Sequence, residues 1–69
     1  MPYATNSELP ASVRAHLPAR AQDIFREAFN HAFDEYGGDE SRSFRVAWAA
    51  VKRRYEKHGQ EWVAKATHR

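Results

Sequence analysis

Histidine is the side chain best suited to acid–base or metal chemistry near neutral pH, and this sequence of 69 residues contains four. They are His16, His31, His58 and His68. No two of them are three or four residues apart, so no pair shares a helical face that could bind a zinc ion. His58 is predicted at the C-terminal end of a helix, where a protonated imidazole interacts favourably with the helix dipole. The histidines therefore predict a contribution to stability rather than a metal site.

Nucleophilic side chains are equally sparse. The four serines are predicted at helix starts or in a connecting loop, where a hydroxyl ordinarily caps the backbone. They are Ser7, Ser12, Ser41 and Ser43. The absence of cysteine removes disulfide bonds, thiolate metal sites and thiol nucleophiles. We therefore predict no catalytic constellation and no cofactor, and the protein is not expected to be an enzyme.

Four carboxylates flank the glycine pair Gly37-Gly38 and could present oxygen ligands to a hard cation such as calcium or magnesium. They are Asp34, Glu35, Asp39 and Glu40. The segment lacks the alternating acidic ligands and the terminal glutamate of an EF-hand loop, and Asp39 and Glu40 also suit the first turn of a following helix. Capping and solvation are therefore the favoured interpretation, with a weak cation contact as the alternative.

Charge is distributed unevenly along the chain. Three basic and seven acidic residues occur up to Glu40, and eight basic and two acidic residues follow it, so the two parts carry formal charges of −4 and +6. The net charge is only +2. This asymmetry is typical of a basic face for an acidic partner, or of two elements packed side by side that neutralise each other.

Basic side chains recur on one side of a predicted helix over residues 42–57. Such a stripe can contact the phosphates of nucleic acid or of anionic lipid, or it can be an exposed face paired in part with acidic residues of the preceding helix. The exposed face is favoured because the charges are few and no helix-turn-helix spacing is present. The candidate partner-binding residues are Arg42, Arg45, Lys52, Arg53 and Lys57, with Arg54 beside them, and the candidate acidic partners are Asp23, Glu27 and Asp34.

Prolines and glycines mark the elements that must position these residues. Pro10 and Pro18 suit the first turns of two helices, since proline lacks an N–H that a helix start leaves unpaired. From Pro18 to Tyr36 the apolar residues recur at the spacing of one helical face, and Gly37-Gly38 ends that helix. The segment from Ala11 to Leu17 predicts a shorter helix that depends on tertiary packing.

A third helix is predicted after a cap at Asp39 or Ser41, with apolar residues on one side until Gly59 ends it. The chain ends, Met1 to Asn6 and Gln60 to Thr67, lack helical periodicity. A short antiparallel pairing of these ends would satisfy their backbone groups. The predicted fold class is thus mainly α, with three helices around an aromatic core and a small β-sheet from the N- and C-terminal segments, in one domain over residues 1–69.

Nine aromatic side chains supply most of the volume for this core. A chain this short buries only about 60% of the surface that its unfolded form exposes, so a few large side chains must fill the interior. The apolar arc near Phe29 and Phe33 is wide enough to leave a docking patch or a dimer seam, unless the chain ends, with Tyr3 and Trp62, cover it. The aromatic residues at core spacing on the two long helices are Phe25, Phe29, Phe33, Phe44, Trp48 and Tyr55.

The hydropathy pattern excludes a membrane span. The longest apolar run, Val46 to Val51, is far shorter than the ~18 residues that cross a bilayer. The N-terminal residues also lack a basic region followed by an apolar stretch. We therefore predict a soluble, cytoplasmic protein without membrane insertion. We also expect it to be a monomer.

Three segments in combination resemble the ChaB family of small bacterial proteins, and the resemblance covers nearly the whole chain. It implies a compact domain of three helices with a small sheet made from the chain ends, a helical arrangement likened to part of a cyclin box. The segments are the two pairs Leu9-Pro10 and Leu17-Pro18, the run Ala21-Gln22-Asp23-Ile24-Phe25 leading to Ala28-Phe29-Asn30, and the run Ala47-Trp48-Ala49-Ala50-Val51-Lys52.

The resemblance also implies a function, the regulation of a sodium/calcium–proton antiporter through contact with that protein at the membrane. The better-known members of the family carry a longer, highly charged loop between the two long helices, whereas only Gly37 to Ser43 is predicted to join them here. A role that depends on that loop is not expected of this chain. The predicted function is a non-catalytic regulatory protein that binds a protein partner. The alternative is a small nucleic-acid-associated protein that uses the basic helix 42–57.

Overall fold

A computed structural model describes residues 2–65. After a short 3₁₀ turn at Asn6–Glu8, the chain forms three helices and a two-stranded antiparallel sheet, and the two longer helices pack extensively against each other. These features confirm the predicted fold class. The elements are α1 (Ala11–His16), α2 (Ala19–Glu35), α3 (Glu40–Arg54), β1 (Tyr55–His58) and β2 (Glu61–Ala64).

The helix α2 has the bounds that its end signals predict. Pro18 occupies the cap position before Ala19, and the pair of glycines follows Tyr36. Gly37 has φ 65°, a left-handed conformation that glycine adopts without steric cost. The backbone N–H of Gly38 donates to the carbonyl oxygen of Phe33 at 2.8 Å. This bond satisfies a carbonyl that the last turn would otherwise leave unpaired, so the helix stops here.

The start of α3 distinguishes the two predicted caps. Oδ1 of Asp39 accepts the backbone N–H of Arg42 at 3.1 Å, so Asp39 rather than Ser41 is the cap. The helix begins at Glu40, and Ser43 therefore lies inside the helix, not in the connecting loop as predicted. Ser43 is fully buried, and its hydroxyl donates to the Asp39 carbonyl oxygen at 2.7 Å. That internal bond satisfies the hydroxyl and permits its burial.

The prediction that α3 continues to Gly59 is wrong. The helix ends at Arg54 because Tyr55 takes an extended conformation, with φ −129° and ψ 152°. Strands β1 and β2 then form a hairpin in which Tyr55 lies opposite Ala64. Gly59, with φ 65°, occupies the first position of the two-residue turn, where a type II′ turn needs a positive φ.

The small predicted sheet exists, but one of its strands is not the predicted one. The C-terminal strand pairs with β1, and the described N-terminal residues form no strand. The hairpin forms because it buries Tyr55 and brings the ring of Trp62 to 5.6 Å from that of Trp48. His58 accordingly lies in β1, with Nε2 at 3.2 Å from Glu56, instead of at a helix end.

The N-terminal segment is held on α2 by a side chain. The backbone N–H of Tyr3 donates to Oδ1 of Asn30 at 2.8 Å, and Nδ2 of Asn30 donates to the Tyr3 carbonyl oxygen at 2.7 Å. One amide side chain thus satisfies both backbone groups of Tyr3, as a neighbouring strand would. The Tyr3 ring lies 4.9 Å from that of Phe29, which is fully buried. The chain end therefore covers the apolar arc at Phe29.

The aromatic core is centred on α2. Phe25 and Phe29 have no exposed surface, and their rings contact Phe44 at 5.8 and 5.1 Å. The rings of Trp48 and Phe25 are nearly perpendicular, with their centres 5.1 Å apart. Such tilted and edge-on pairs add to the burial energy of the rings. The other buried apolar residues are Leu9, Val13, Leu17, Ala21, Ala32, Ala47, Val51 and Tyr55.

The docking of Tyr3 on α2 predicts that the fold loses stability at alkaline pH. Burial raises the pKa of Tyr3 above its usual value, and the carboxylate of Glu40 raises it further. The unfolded chain releases this hydroxyl proton near pH 10, whereas the folded chain retains it. The stabilisation that comes from the protonated Tyr3 hydroxyl is therefore complete below about pH 10, and it is lost as the pH rises through the folded-state pKa.

Tyr3→Phe should show a smaller decrease in the free energy of unfolding between about pH 9 and pH 11 than the natural chain. Urea denaturation at each pH measures this difference. Equal decreases in the two proteins would mean that the Tyr3 hydroxyl does not contribute to alkaline unfolding.

Candidate partner-binding surfaces

The structure places the residues of the predicted basic stripe on two elements, α3 and β1. The side chains of Arg42, Arg45, Lys52 and Arg53 are exposed on α3, but Lys57 belongs to β1 because the helix ends earlier. The guanidinium carbon of Arg42 lies 4.3 Å from the ring centre of Tyr36, at the end of α3 near the α2–α3 loop. This cation–π contact places the Arg42 guanidinium on the Tyr36 ring.

The predicted pairing of this stripe with acidic residues of α2 does not occur among residues 2–65. None of the basic residues of the stripe forms an ion pair with Asp23, Glu27 or Asp34. Asp23 instead lies 3.7 Å from Arg26 and accepts a hydrogen bond from Asn6 at 2.6 Å. Asp23 thus attaches the N-terminal segment to α2 instead of pairing with the stripe.

One surface groove lies between α2 and α3 and has a volume of about 600 Å³. Its half-buried residues are Ile24, Ala28 and Ala50. Charged and titratable side chains line the remainder, with Glu27 and His31 from α2 and Arg53 and Arg54 from α3. We call this surface the helix groove. Its mixed charges match no single class of ligand.

A second depression, which we call the tryptophan cleft, has a volume of about 330 Å³. Each of its three walls contributes two residues. Trp48 and Lys52 are four residues apart on α3, as are Ser12 and His16 on α1, so each pair shares one face of its helix. Lys57 and Trp62 are directly opposite each other in the hairpin. The lining is Ser12, His16, Trp48, Lys52, Lys57 and Trp62.

The electrostatic character of the tryptophan cleft is basic. Lys52 and Lys57 each contribute an ammonium group, and no carboxylate of the described residues lines the cleft. Nδ1 of His16 lies 2.7 Å from the carbonyl oxygen of Ser12. Because a carbonyl oxygen only accepts hydrogen bonds, this contact assigns the hydrogen to Nδ1 and fixes the ring orientation. The cleft therefore combines apolar rings with groups that attract an anion.

The carboxylates around the glycine pair have separate uses. Asp39 caps α3, and Oε1 of Glu35 lies 3.7 Å from Nε2 of His31. Across residues 2–65, no group of three or more His, Cys, Asp or Glu side chains is placed to hold a metal ion. The weak cation contact at Asp34, Glu35, Asp39 and Glu40 stays a prediction. His68 lies outside the described residues.

Sequence reasoning separated residues that the fold brings together. Ser12 was predicted to cap a helix, His16 was one of the isolated histidines, and Trp48 was predicted in the core. All three line the tryptophan cleft. Two signals could have indicated it: the four-residue spacing within each helical pair, and the turn at Gly59-Gln60 between two short segments that contain Lys57 and Trp62.

The arrangement of helices and hairpin has known relatives. Residues 9–65 match the family model described as ChaB. The chain belongs to the ChaB family. The "Putative cation transport regulator ChaB" of Escherichia coli strain K12 is 50% identical over an alignment 66 positions long, and the match covers 83% of this chain and 87% of the relative. An "Uncharacterized protein in LEF8-FP intergenic region" of Lymantria dispar multicapsid nuclear polyhedrosis virus is 37% identical over 51 residues, covering 74% of this chain and 72% of that protein.

A solved member of the ChaB family has the same fold. The structure titled "NMR solution structure of the putative cation transport regulator ChaB" superimposes with a TM-score of 0.85 and 44% sequence identity, and the match covers 94% of this chain and 100% of the solved one. The resemblance drawn from the Leu-Pro pairs and the Trp48 segment is thus confirmed. Within residues 2–65, no helix is long and apolar enough to cross a membrane.

Proposed function

We propose that this chain is a non-catalytic regulator of cation transport that acts by binding a protein partner, and that the partner is a sodium/calcium–proton antiporter. The observation that carries the proposal is the 50% identity to a ChaB protein whose name describes a regulator of cation transport. The alignment covers most of both chains, so the likeness extends over most of the domain.

The surface chemistry supports binding over catalysis. Ser43 is buried and bonded to the backbone, and the hydroxyl of Ser7 lies 2.9 Å from that of Thr5. Within the described range, no histidine ring is hydrogen-bonded to a serine hydroxyl, so the arrangement lacks an activated nucleophile. The basic side chains of α3, by contrast, are exposed and form no ion pair with any residue from 2 to 65, which favours contact with another molecule.

The alternative role in nucleic-acid binding has weaker support from the geometry. Such a role needs basic groups that follow a phosphate backbone. Here Arg42 packs on Tyr36, Arg53 lines the helix groove, and Lys57 lies on the hairpin. Lys57 therefore no longer lies on the helix that carries Arg42 and Arg53, whereas a single helix over residues 42–57 would have kept all three together.

Antiport activity in everted membrane vesicles tests the proposal. Vesicles would be prepared from cells that express a sodium/calcium–proton antiporter, and sodium- or calcium-dependent proton release would be followed with a pH-sensitive dye. Adding the purified chain should change the cation concentration that gives half-maximal release. Vesicles without the antiporter are the control and should not respond. An unchanged response at saturating chain would contradict the proposed regulation.

A further inference from the structure

We infer that the tryptophan cleft is a docking site for an acidic peptide segment of a protein partner. In this arrangement a carboxylate of the segment lies near Lys52 and Lys57, and an adjacent apolar side chain packs against the tryptophan rings. The inference rests on the proposed function in one respect, which is that the partner is a protein. It adds the place of contact and the chemistry of the segment that is bound.

The charge of the cleft selects an anion. Lys52 and Lys57 approach it from different elements, α3 and β1, and neither forms an ion pair among residues 2–65. Two like charges in one small depression repel each other, and a bound carboxylate relieves this repulsion. The adjoining depression is lined by Glu61 together with His16 and Trp62. The carboxylate of Glu61 therefore limits the site for an anion on that side of the cleft.

The rings of the cleft provide an apolar anchor of fixed geometry. Trp48 packs nearly perpendicular to the buried ring of Phe25, and Trp62 packs on Trp48 with a ring separation of 5.6 Å. Both rings are half-buried, so each retains some surface for a ligand. Tryptophan in such a position is typical of the few residues that dominate protein–protein affinity. Because these rings are already ordered, binding costs little conformational entropy.

Polar groups on α1 complete the site. The hydrogen bond from Nδ1 of His16 to the Ser12 carbonyl oxygen directs the rest of the imidazole ring away from the helix backbone. The side chain of Ser12 lines the same wall. These groups can form hydrogen bonds with the backbone or the carboxylate of an extended segment, which would set its register.

The dimensions and surroundings favour a peptide over a nucleic acid. A volume of about 330 Å³ accommodates a few side chains rather than a strand of nucleotides. The exposed carboxylate of Glu61 lines the depression that adjoins the cleft and would repel a continuous phosphate backbone. A short segment with one or two carboxylates can avoid it.

Selection from a random peptide library displayed on phage identifies the preferred ligand without assuming its sequence. The immobilised full chain should enrich peptides in which aspartate or glutamate is adjacent to a large apolar residue. A synthetic copy of an enriched peptide is then titrated while the fluorescence of the two tryptophans, Trp48 and Trp62, is recorded. Replacing its acidic residues with their amides should weaken binding about tenfold, as expected for the loss of two exposed ion pairs.

Matched variants assign the site. The double variant Lys52→Gln with Lys57→Gln should bind the peptide about tenfold more weakly. The control variant Arg45→Gln with Arg53→Gln removes the same number of charges outside the cleft and should bind like the natural chain. Circular dichroism checks that both variants stay folded. Equal weakening in the two variants would overturn the site, because the effect would then be one of net charge.

Other outcomes also decide against the inference. Enrichment of peptides without acidic residues, or failure to enrich any, would overturn the proposed ligand chemistry. Displacement of the bound peptide by single-stranded oligothymidylate at micromolar concentration would assign the cleft to nucleic acid instead. The vesicle assay keeps the two proposals distinct. Regulation retained by the lysine double variant would contradict the cleft as the contact while leaving the regulatory function in place.

Discussion

Phe25→Ala is expected to lower the free energy of unfolding by about 3–5 kcal/mol, which is comparable to the whole stability of many small domains. Phe25 has no exposed surface, and its ring lies 6.4, 5.8 and 5.1 Å from those of Phe29, Phe44 and Trp48. Removing it loses the transfer free energy of the ring and leaves a cavity between α2 and α3 that rigid neighbours cannot fill.

Urea denaturation followed by circular dichroism measures the effect of Phe25→Ala. Phe33→Ala is the control, because Phe33 is also on α2 but is half-buried and contacts Phe29 at the rim of the cluster, at 5.8 Å. Phe33→Ala should lower the free energy of unfolding distinctly less than Phe25→Ala does. Equal costs for the two variants would show that the core is not centred on Phe25.

Ala47→Leu is expected to destabilise the fold by about 1–3 kcal/mol although it adds apolar surface. Ala47 has no exposed surface and lies one turn from both Ser43 and Val51, which are also fully buried. These small side chains form the row of α3 that packs against the core, so there is no space for three additional carbon atoms. The larger side chain must therefore displace α3 from its neighbours or adopt a strained rotamer.

The exposed Ala49 provides a matched control on the same helix. Ala49→Leu makes the same chemical change and should alter the free energy of unfolding by no more than about 0.5 kcal/mol. Thermal melting of both variants distinguishes the two effects. A natural-like melting temperature for Ala47→Leu would mean that α2 and α3 pack less closely than the structure shows.

The helices were predictable because the signals that define them are local. Pro18 and the glycines after Tyr36 delimit α2, and the apolar period of 3.6 residues indicates its buried face. Asp39 was one of two predicted caps, and the structure selects it through the bond to the Arg42 N–H. Each of these signals operates within one turn of a helix, so no knowledge of distant residues was required.

The end of α3 was not predictable in the same way. The residues from Tyr55 to His58 continue the helical pattern of α3, and only their pairing with Glu61–Ala64 makes them a strand. A two-stranded hairpin is marginal by itself in water. Burial of Tyr55 and the contact of Trp62 with Trp48 supply the additional stabilisation, and that contact joins residues far apart in sequence.

The docking of the N-terminus shows the same limit. The sequence indicated that Tyr3 is bound to the helices, and the structure confirms it through the contact with Phe29. The sequence suggested a strand as the partner, but the two backbone groups of Tyr3 are satisfied by Asn30, 27 residues away. An asparagine inside a helix carries no signal of that role, because its amide can bond equally well to water.

The amino-acid sequence was sufficient for the class of fold, the ChaB family membership, the bounds of α2 and the set of basic residues. It could not show how those basic residues are grouped. Because α3 ends early, Lys57 lies on the hairpin, where it lines the tryptophan cleft with Trp62 and Lys52. Arg53 lines the helix groove, and Arg42 packs on Tyr36. Periodicity reports the direction of a side chain around one axis, whereas a binding site depends on distances between elements, and those distances are set only when α1, α3 and the hairpin pack together.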